Sequence, residues 1–509
     1  MDVTQILMLI TILVYLAAMV GIGAVLAKQN QTTDDFYLGG RTLGPLVTAM
    51  SAEASDMSSW LLMGLPGVAY LSGTADAAWT AIGLAIGTYV NWLVVAKRLR
   101  NYTHVCGNST TLPLFFSNRY RDNKRILSVI AALLIIIFFV PYTASGFAAC
   151  GKLFANLFGM DYLPAMLISA IVIVAYTTLG GFLAASTTDF VQSIVMTIAI
   201  VVVFGFGISK VGSFSAVMDN AKSMAGYFSL THTHDVATGT ASPYSLLQIF
   251  STLAWGLGYF GMPHVLLRFM AIGDANKLKL PRRVATVWVV ISMAVSVFIG
   301  VIGNAMTKAG VLPTLKDPET IILVVADLIS KHGVLATIIA GLILAGILAA
   351  TMSTADSQLL AASSSASQNI LKEVFMKDMS EKTGMLIARI TVLVIALIGV
   401  FIARNPDSSV FQIVSFAWAG FGASFGPLVL LALFWKRSTF QGALCGMVSG
   451  GVMVFVWKFL IRPMGGALGI YELLPAFLLG LAVNVIVSLL TPAPSREVQD
   501  EFDKVASMK

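Results

Sequence analysis

Residues 43–67 read Leu-Gly-Pro-Leu-Val-Thr-Ala-Met-Ser-Ala-Glu-Ala-Ser-Asp-Met-Ser-Ser-Trp-Leu-Leu-Met-Gly-Leu-Pro-Gly. The stretch is long and apolar enough to cross a bilayer, yet its middle holds Glu53, Asp56 and the serines Ser51, Ser55, Ser58 and Ser59. Serine side chains compete for backbone hydrogen bonds, and Gly64, Pro66 and Gly67 weaken the helix just beyond. Ionisable groups inside a span are expensive and mark function by default. The pattern is that of a discontinuous helix, whose unwound carbonyls can hold a cation and whose free N–H groups can hold a carboxylate. The alternative is a kinked structural helix whose serines bond back to the preceding turn.

The rest of the 509-residue chain is lipid-like: 57% hydrophobic and only 11% charged, against about one charged residue in four for soluble domains. A soluble globular protein is excluded. Spans of roughly 20 apolar residues number about thirteen, over 6–27, 44–72, 75–96, 126–155, 161–183, 190–208, 244–271, 284–308, 334–372, 386–403, 408–435, 440–460 and 471–491. The first lacks a basic n-region and is a span, not a cleavable signal. Residues 126–140, ILSVIAALLIIIFFV, do not alternate as barrel strands do, so the spans are helices. This is an all-α polytopic membrane protein, one unit over 1–491 with a polar, frayed tail over 492–509.

The net charge of +7 sits in loops. Lys97, Arg98, Arg100, Arg119, Arg121, Lys124 and Arg125 follow span three, Lys277, Lys279, Arg282 and Arg283 follow span seven, and Lys436 and Arg437 follow span eleven. Placing these loops inside puts the N-terminus outside and the C-terminus inside. The basic excess is therefore a topology signal, and no nucleic-acid partner is expected. Cys106, Cys150 and Cys445 are scattered, which predicts free thiols. The run Thr231-His232-Thr233-His234-Asp235 could ligate a metal but reads better as an exposed polar loop, and 318–329 reads as a short outer amphipathic helix.

A second interruption lies in span seven: Trp255-Gly256-Leu257-Gly258-Tyr259-Phe260-Gly261-Met262-Pro263-His264. Glycine permits close backbone approach, and Trp and Tyr offer flat walls with one polar edge. A GxxxG-like helix contact is the alternative. Two matched interruptions, each opening a set of five spans, point to an inverted-repeat transporter with a central site. A third polar run, Ala350-Thr351-Met352-Ser353-Thr354, could complete an ion site with hydroxyls and a carbonyl. No HExxH, GxSxG or Walker-type motif is present, which argues against an enzyme and against ATP as the energy source.

These residues carry a resemblance. The chain resembles the sodium/solute symporter family, and within it the sodium/proline symporters, through Asp34-Asp35-Phe36-Tyr37-Leu38-Gly39-Gly40-Arg41, residues 54–60 with Leu61-Leu62-Met63-Gly64-Leu65-Pro66-Gly67, Gly180-Gly181-Phe182-Leu183-Ala184 with Thr188-Asp189, residues 256–259 with Pro263-His264, and Met352-Ser353-Thr354. The resemblance implies thirteen helices, an outward N-terminus and a five-plus-five inverted repeat of leucine-transporter type, with repeats over 44–208 and 244–435, helix 1 at 6–27 and extra helices over 440–491. It implies a plasma-membrane symporter importing L-proline with sodium as the transported ion and no organic cofactor; the chain is expected to work as a monomer. The sodium ligands it implies are carbonyls of Ala54, Met57 and Ala350 and hydroxyls of Ser353 and Thr354. Asp56, Arg41 and Asp189 are implied in ion coupling. Ser58, Ser59, Trp60, Tyr142, Trp255, Tyr259 and Pro263 are implied around the substrate.

The sequence departs from that family at two positions. Ser59 stands where glycine is expected, and Glu53 stands where a small residue is usual. Glu53 and Asp56 are three apart and share a helix face, and two close carboxylates in low dielectric do not both ionise easily. Glu53 is therefore expected to be protonated or paired with a basic residue, with a role in coupling, or else to be a structural group bonded to a neighbouring helix. No Arg or Lys is expected deep in a core span, which disfavours an anionic substrate. The remaining alternatives are a sodium- or proton-coupled symporter for another small neutral solute, a channel, and a transporter-like sensor.

Overall fold

The computed structural model describes residues 2–28, 32–375, 379–405 and 409–508. Residues 1, 408 and 509, which begin or end expected segments, lie outside them. Among the described residues the chain is mostly helical, with one small hairpin. Its main helices are α1 (Val3–Ala27), α2 (Pro45–Ser59), α3 (Leu65–Ser72), α4 (Thr74–Val90), α5 (Ile126–Phe158), α6 (Tyr162–Val211), α7 (Leu246–Leu253), α8 (Pro263–Ala271), α9 (Lys279–Lys308), α10 (Val334–Ser364), α11 (Glu381–Ala403), α12 (Val410–Phe434), α13 (Phe440–Val456), α14 (Leu473–Leu490) and α15 (Arg496–Ser507). Among the described residues, ten helices are long and apolar enough to cross a membrane. The expected spans 44–72, 161–183 and 244–271 fall outside that ten. The first and last are broken mid-way, and the second is a short apolar helix over Tyr162–Ala175.

The breaks have local causes. Between α2 and α3, Ser58 takes φ +49° and ψ −173°, a left-handed φ costly for a residue with a Cβ. Its own Oγ accepts the Trp60 N–H at 3.1 Å, standing in for a lost helical acceptor, and a π-helical turn over Trp60–Gly64 leads into α3. Between α7 and α8 the chain tightens into a 3-10 segment, Ala254–Phe260, extends at Met262 (ψ +108°) and restarts at Pro263. Proline suits a first helical position because it has no N–H to leave unpaired. Inside α6, Gly181 takes φ +64° and ψ −175°, a conformation open to glycine. The helix resumes there at once, so the expected 190–208 span begins earlier, at Gly181.

Glycines also set one close contact. A Cβ on Gly87 of α4 would collide with the Gly256 carbonyl, and one on Gly256 with the Gly83 carbonyl. The span-seven glycines therefore do make the close helix contact offered as the alternative, and in the same place where the helix is interrupted. At the centre of the fold α10 packs against α6, α2, α5 and α1. Residues 344–364 of α10 are buried without exception, as expected for a helix enclosed by others.

Two peripheral expectations resolve differently. Residues 318–329 do form a short helix, a 3-10 turn Pro318–Thr320 followed by Ile321–Ser330, and His232–His234 pairs with Ala241–Pro243 in a hairpin (β1 and β2). Asp235 there accepts the Ala237 and Thr238 N–H groups, which hold its carboxyl below the usual range. The tail is not frayed. Its helix α15 docks on the basic face: Val498, Phe502 and Val505 are buried, and the guanidinium groups of Arg98 and Arg119 lie over the Phe502 ring at 4.8 and 5.5 Å. Arg121 pairs with Glu497 and Glu501 at 3.0 and 2.9 Å, and Lys436 with Asp503 at 2.5 Å. The apolar positions recur at helical spacing, so they bury one stripe while the acids meet the loop cations.

Candidate functional site

The break at Ser58 leaves the end of α2 facing the middle of α10. Ser353 Oγ reaches across and donates to the Ala54 carbonyl at 2.8 Å, and lies 3.2 Å from the Ala350 carbonyl one turn earlier. Thr354 Oγ1 donates to the same Ala350 carbonyl at 3.1 Å. Four of the five implied sodium ligands are thus in mutual contact, two carbonyls and two hydroxyls, in a fully buried setting. Hard oxygens of this kind suit a hard cation. The fifth, the Met57 carbonyl, accepts the Trp60 N–H at the break itself.

The two interrupted helices are hydrogen-bonded to each other beside the Ser58 break. Tyr259 of the 3-10 segment donates its hydroxyl to Asp56 Oδ2 at 2.5 Å, while Tyr142 of α5 donates to the Asp56 carbonyl at 3.2 Å. Asn91 holds the Tyr259 carbonyl at 3.1 Å. The other Asp56 oxygen, Oδ1, is buried with no protein donor among the described residues. One turn earlier, Glu53 Oε1 accepts the Trp92 indole N–H at 3.0 Å, and its Oε2 is likewise unpartnered. No basic residue pairs with Glu53 among the described residues, and its one printed partner is a neutral indole on the neighbouring helix.

Beside Asp56 lies a closed cavity lined by Asp56, Met57, Trp60, Leu84, Tyr142, Trp255, Val414 and Trp418. Its volume is about 10 Å³, the space of a single water, so a solute enters only when the aromatic walls move. Of the residues implied around the substrate, Trp60, Tyr142 and Trp255 line it. Tyr259 packs edge-on against Trp418 at 5.1 Å, and Ser58, Ser59 and Pro263 are buried nearby without lining it. Leu84, Val414 and Trp418 were not found by sequence reasoning. They sit on helices with no polar interruption, and Trp418 is fixed by its indole N–H donating to the Trp255 carbonyl at 2.7 Å.

The face opposite the basic loops is shut by aromatic rings. Phe411 of α12 stacks on Trp60 at 5.9 Å and lies 5.6 Å from Trp255, which stacks on Tyr471 at 5.1 Å. The Glu319 carboxylate holds Phe411 in place by accepting the Val410 and Phe411 N–H groups, each at 3.1 Å, and the Ser409 hydroxyl at 2.9 Å. A carboxylate at a helix N-terminus is favourably placed. Lys152 of α5 completes the cluster at 3.1 Å from Glu319 and 2.8 Å from Asp317.

Toward the basic face lies a buried network that corrects the expectation of no deep cation. Arg268 on α8 is 1% exposed. It donates to Asp189 Oδ2 at 3.1 Å, Ser51 Oγ at 3.0 Å, Ser357 Oγ at 2.5 Å and the His264 carbonyl at 3.0 Å. Ser51 also donates to Asp189 at 2.7 Å. Four helices are joined here, and the guanidinium is spent on protein partners, so it offers no counter-charge to a substrate. Arg41 stands apart from this network. It staples the Met270 and Ser109 carbonyls at 2.6 and 2.7 Å on the basic face, and burial beside Arg100 lowers its pKa to about 10.

Comparison with known proteins bears on the family and the fold. Residues 36–450 match the family described as the Sodium:solute symporter family. The chain is 41% identical over 500 residues to the sodium/proline symporter of Escherichia coli, covering 97% of this chain and 95% of that one. It is 42% identical over 482 residues to the high-affinity proline transporter PutP of Bacillus subtilis, covering 95% and 98%. It is 40% identical over 489 residues to the osmoregulated proline transporter OpuE of the same organism, covering 96% of each. Among solved structures, a Na+-coupled sialic acid symporter superposes with a TM-score of 0.78 at 18% identity, over 96% of this chain and 99% of that one. The L-phenylalanine complex of MhsT superposes with a TM-score of 0.55 at 12% identity, over 88% and 99%. These two likenesses concern the fold.

Proposed function

The chain belongs to the sodium:solute symporter family, and from that premise we propose that it imports L-proline across the plasma membrane, driven by the sodium gradient, by alternating access. The observation that carries the reading is the Asp56–Tyr259 hydrogen bond, which joins the two interrupted helices beside the Ser353–Ala54 contact. Sodium, as cargo, is held by the carbonyls of Ala54, Met57 and Ala350 and the hydroxyls of Ser353 and Thr354. The two hydroxyls now donate to carbonyls; when the cation arrives they rotate and turn lone pairs toward it. Asp56 supplies the nearby negative charge, and Glu53, Asp189 and Arg41 act in ion coupling.

Proline is a zwitterion with an apolar ring. Trp60, Tyr142 and Trp255 give that ring flat walls, and N–H groups freed at the Ser58 break can receive its carboxylate. Ser58, Ser59, Tyr259 and Pro263 form the surround that positions those walls. The membrane layout is thirteen spans with the N-terminus outside and the basic face in the cytoplasm. Repeat one covers 44–208, repeat two 244–435, and extra helices 440–491, with 492–509 inside and a single chain as the working unit. One sodium moving inward releases about 2.3 kcal/mol per 100 mV, and a tenfold gradient adds about 1.4 kcal/mol. At one sodium per proline this supports accumulation on the order of several hundredfold.

The test is uptake of radiolabelled L-proline by reconstituted proteoliposomes. An inward sodium gradient should drive accumulation above equilibrium, and other neutral solutes should compete weakly. Flux without accumulation, or accumulation that follows a proton gradient alone, would overturn the reading.

A further inference from the structure

On the flank of the bundle, a groove of about 440 Å³ runs along the seam where α2, α6 and α9 meet. Its rim faces outward: Val201 is 53% exposed, Val287 57% and Ile291 53%. Met50, Ile200 and Ser292 form its buried floor. The polar side chains along the slot are already bonded within the protein. Thr197 Oγ1 donates to the Ser193 carbonyl at 2.7 Å and accepts the Trp288 indole N–H at 2.8 Å, while Ser292 Oγ donates to the Val289 carbonyl at 3.3 Å. A polar solute entering here would lose its water without gaining partners. The slot therefore suits a hydrocarbon chain, and its rim opens where the spans meet lipid.

One end of the groove is cationic. Arg283 lines it, and Lys279 stands one helical turn earlier on the same stripe of α9 as Arg283, Val287 and Ile291. Both cations are exposed, and neither makes an ion pair among the described residues. Lys277 and Arg282 flank them, with the Arg282 guanidinium over the Tyr89 ring at 5.7 Å. The one acid between residues 272 and 283, Asp274, accepts the Asn276 N–H at 2.9 Å. From Arg283 to Ser292 the helix rises about 13 Å at 1.5 Å per residue. That is close to one leaflet of a hydrocarbon core about 30 Å thick. Basic pockets between spanning helices hold anionic headgroups, so a cationic end above an apolar slot of this length fits a phospholipid of net negative charge.

We propose that this seam is a binding site for one anionic phospholipid, its phosphate on Arg283 and Lys279 and one acyl chain along Val201, Val287 and Ile291 above Met50. Met50 precedes Ser51, which joins the Arg268–Asp189 network, so the seated chain braces the basic-side half of the interrupted helix α2 against α6 and α9. Native mass spectrometry tests this on the full-length wild-type protein, delipidated in detergent and titrated with phosphatidylglycerol or phosphatidylcholine of matched chains. One phosphatidylglycerol per chain should be retained, with at least fivefold higher affinity than phosphatidylcholine. Arg283→Gln should weaken phosphatidylglycerol about fivefold, the worth of one cation beside an anionic headgroup, and leave phosphatidylcholine unchanged. Val287→Trp places its bulk at an exposed position, fills the slot and should lose the retained phosphatidylglycerol. Glycerol 3-phosphate, which has the charge without the chains, should not displace the lipid from the wild type. Phosphatidylglycerol should also raise the unfolding midpoint of the wild type and leave that of Val287→Trp unmoved. Equal retention of the two lipids, displacement by glycerol 3-phosphate, a Val287→Trp protein that keeps phosphatidylglycerol, or a wild-type midpoint that ignores it overturns the proposal. So does a wild-type spectrum of lipid-free dimers, which would seat a second copy of this chain on the groove.

Discussion

Ser353→Ala removes one hydroxyl from the proposed sodium site while leaving both carbonyls it contacts. In the structure Ser353 Oγ is 2.8 Å from the Ala54 carbonyl and 3.2 Å from the Ala350 carbonyl, so with sodium bound it supplies one of five oxygens. A hydrogen-bond-type contact to a charged group is worth about 1.5–3 kcal/mol, and every 1.4 kcal/mol is about tenfold in affinity. The sodium concentration for half-maximal proline uptake should therefore rise by roughly tenfold to a hundredfold. At saturating sodium, uptake should recover much of the wild-type rate. By linkage, proline affinity measured at low sodium should fall as well. Thr351→Ala is the control, since its hydroxyl donates back to the Ile347 carbonyl at 2.9 Å, and it should leave the sodium curve in place. A Ser353→Ala protein with an unshifted sodium curve would refute the assignment of this hydroxyl, and with it the site built around it.

Three further outcomes are expected. Arg268→Gln strips a buried Asp189 of its cation and should cost about 3–5 kcal/mol, read as an earlier thermal unfolding midpoint in detergent. Adding Asp189→Asn to it should recover part of that loss, and a double variant no more stable than Arg268→Gln would count against the pairing. Glu53→Gln keeps an acceptor for the Trp92 N–H and removes the second carboxylate beside Asp56; the sodium and pH dependence of uptake should both change, and curves that superpose on the wild type would reduce Glu53 to a structural group. Gly87→Val should abolish transport with the protein still inserted, because the added side chain meets the Gly256 backbone; near-normal uptake would show that α4 and the 3-10 segment do not need that approach.

Much of the site was legible because its signals are local conflicts. Charged and hydroxylated residues in span two, and glycine with proline in span seven, oppose the helix that lipid demands, and both places do come undone. Arg268 was missed for the opposite reason. It sits inside an expected span, but its acid partner is Asp189, 79 positions away on another helix, and no spacing rule relates them. Trp418 and Val414 lie on α12, whose composition is that of an ordinary span, and only tertiary packing turns them toward Asp56. The docked tail was misread because Val498, Phe502 and Val505 are too few to look like a core, and their partners are the aliphatic and guanidinium parts of loop arginines that were counted only as charges.

Trp255 lines the cavity beside Asp56 on one side and, on the other, a second cavity of about 340 Å³ that Asp76, Arg462 and Tyr471 also line. A bulky molecule lodged on its outer side would press the indole down onto the space where cargo sits. Such a blocker would lower the number of transporters able to turn over without competing directly for the inner seat.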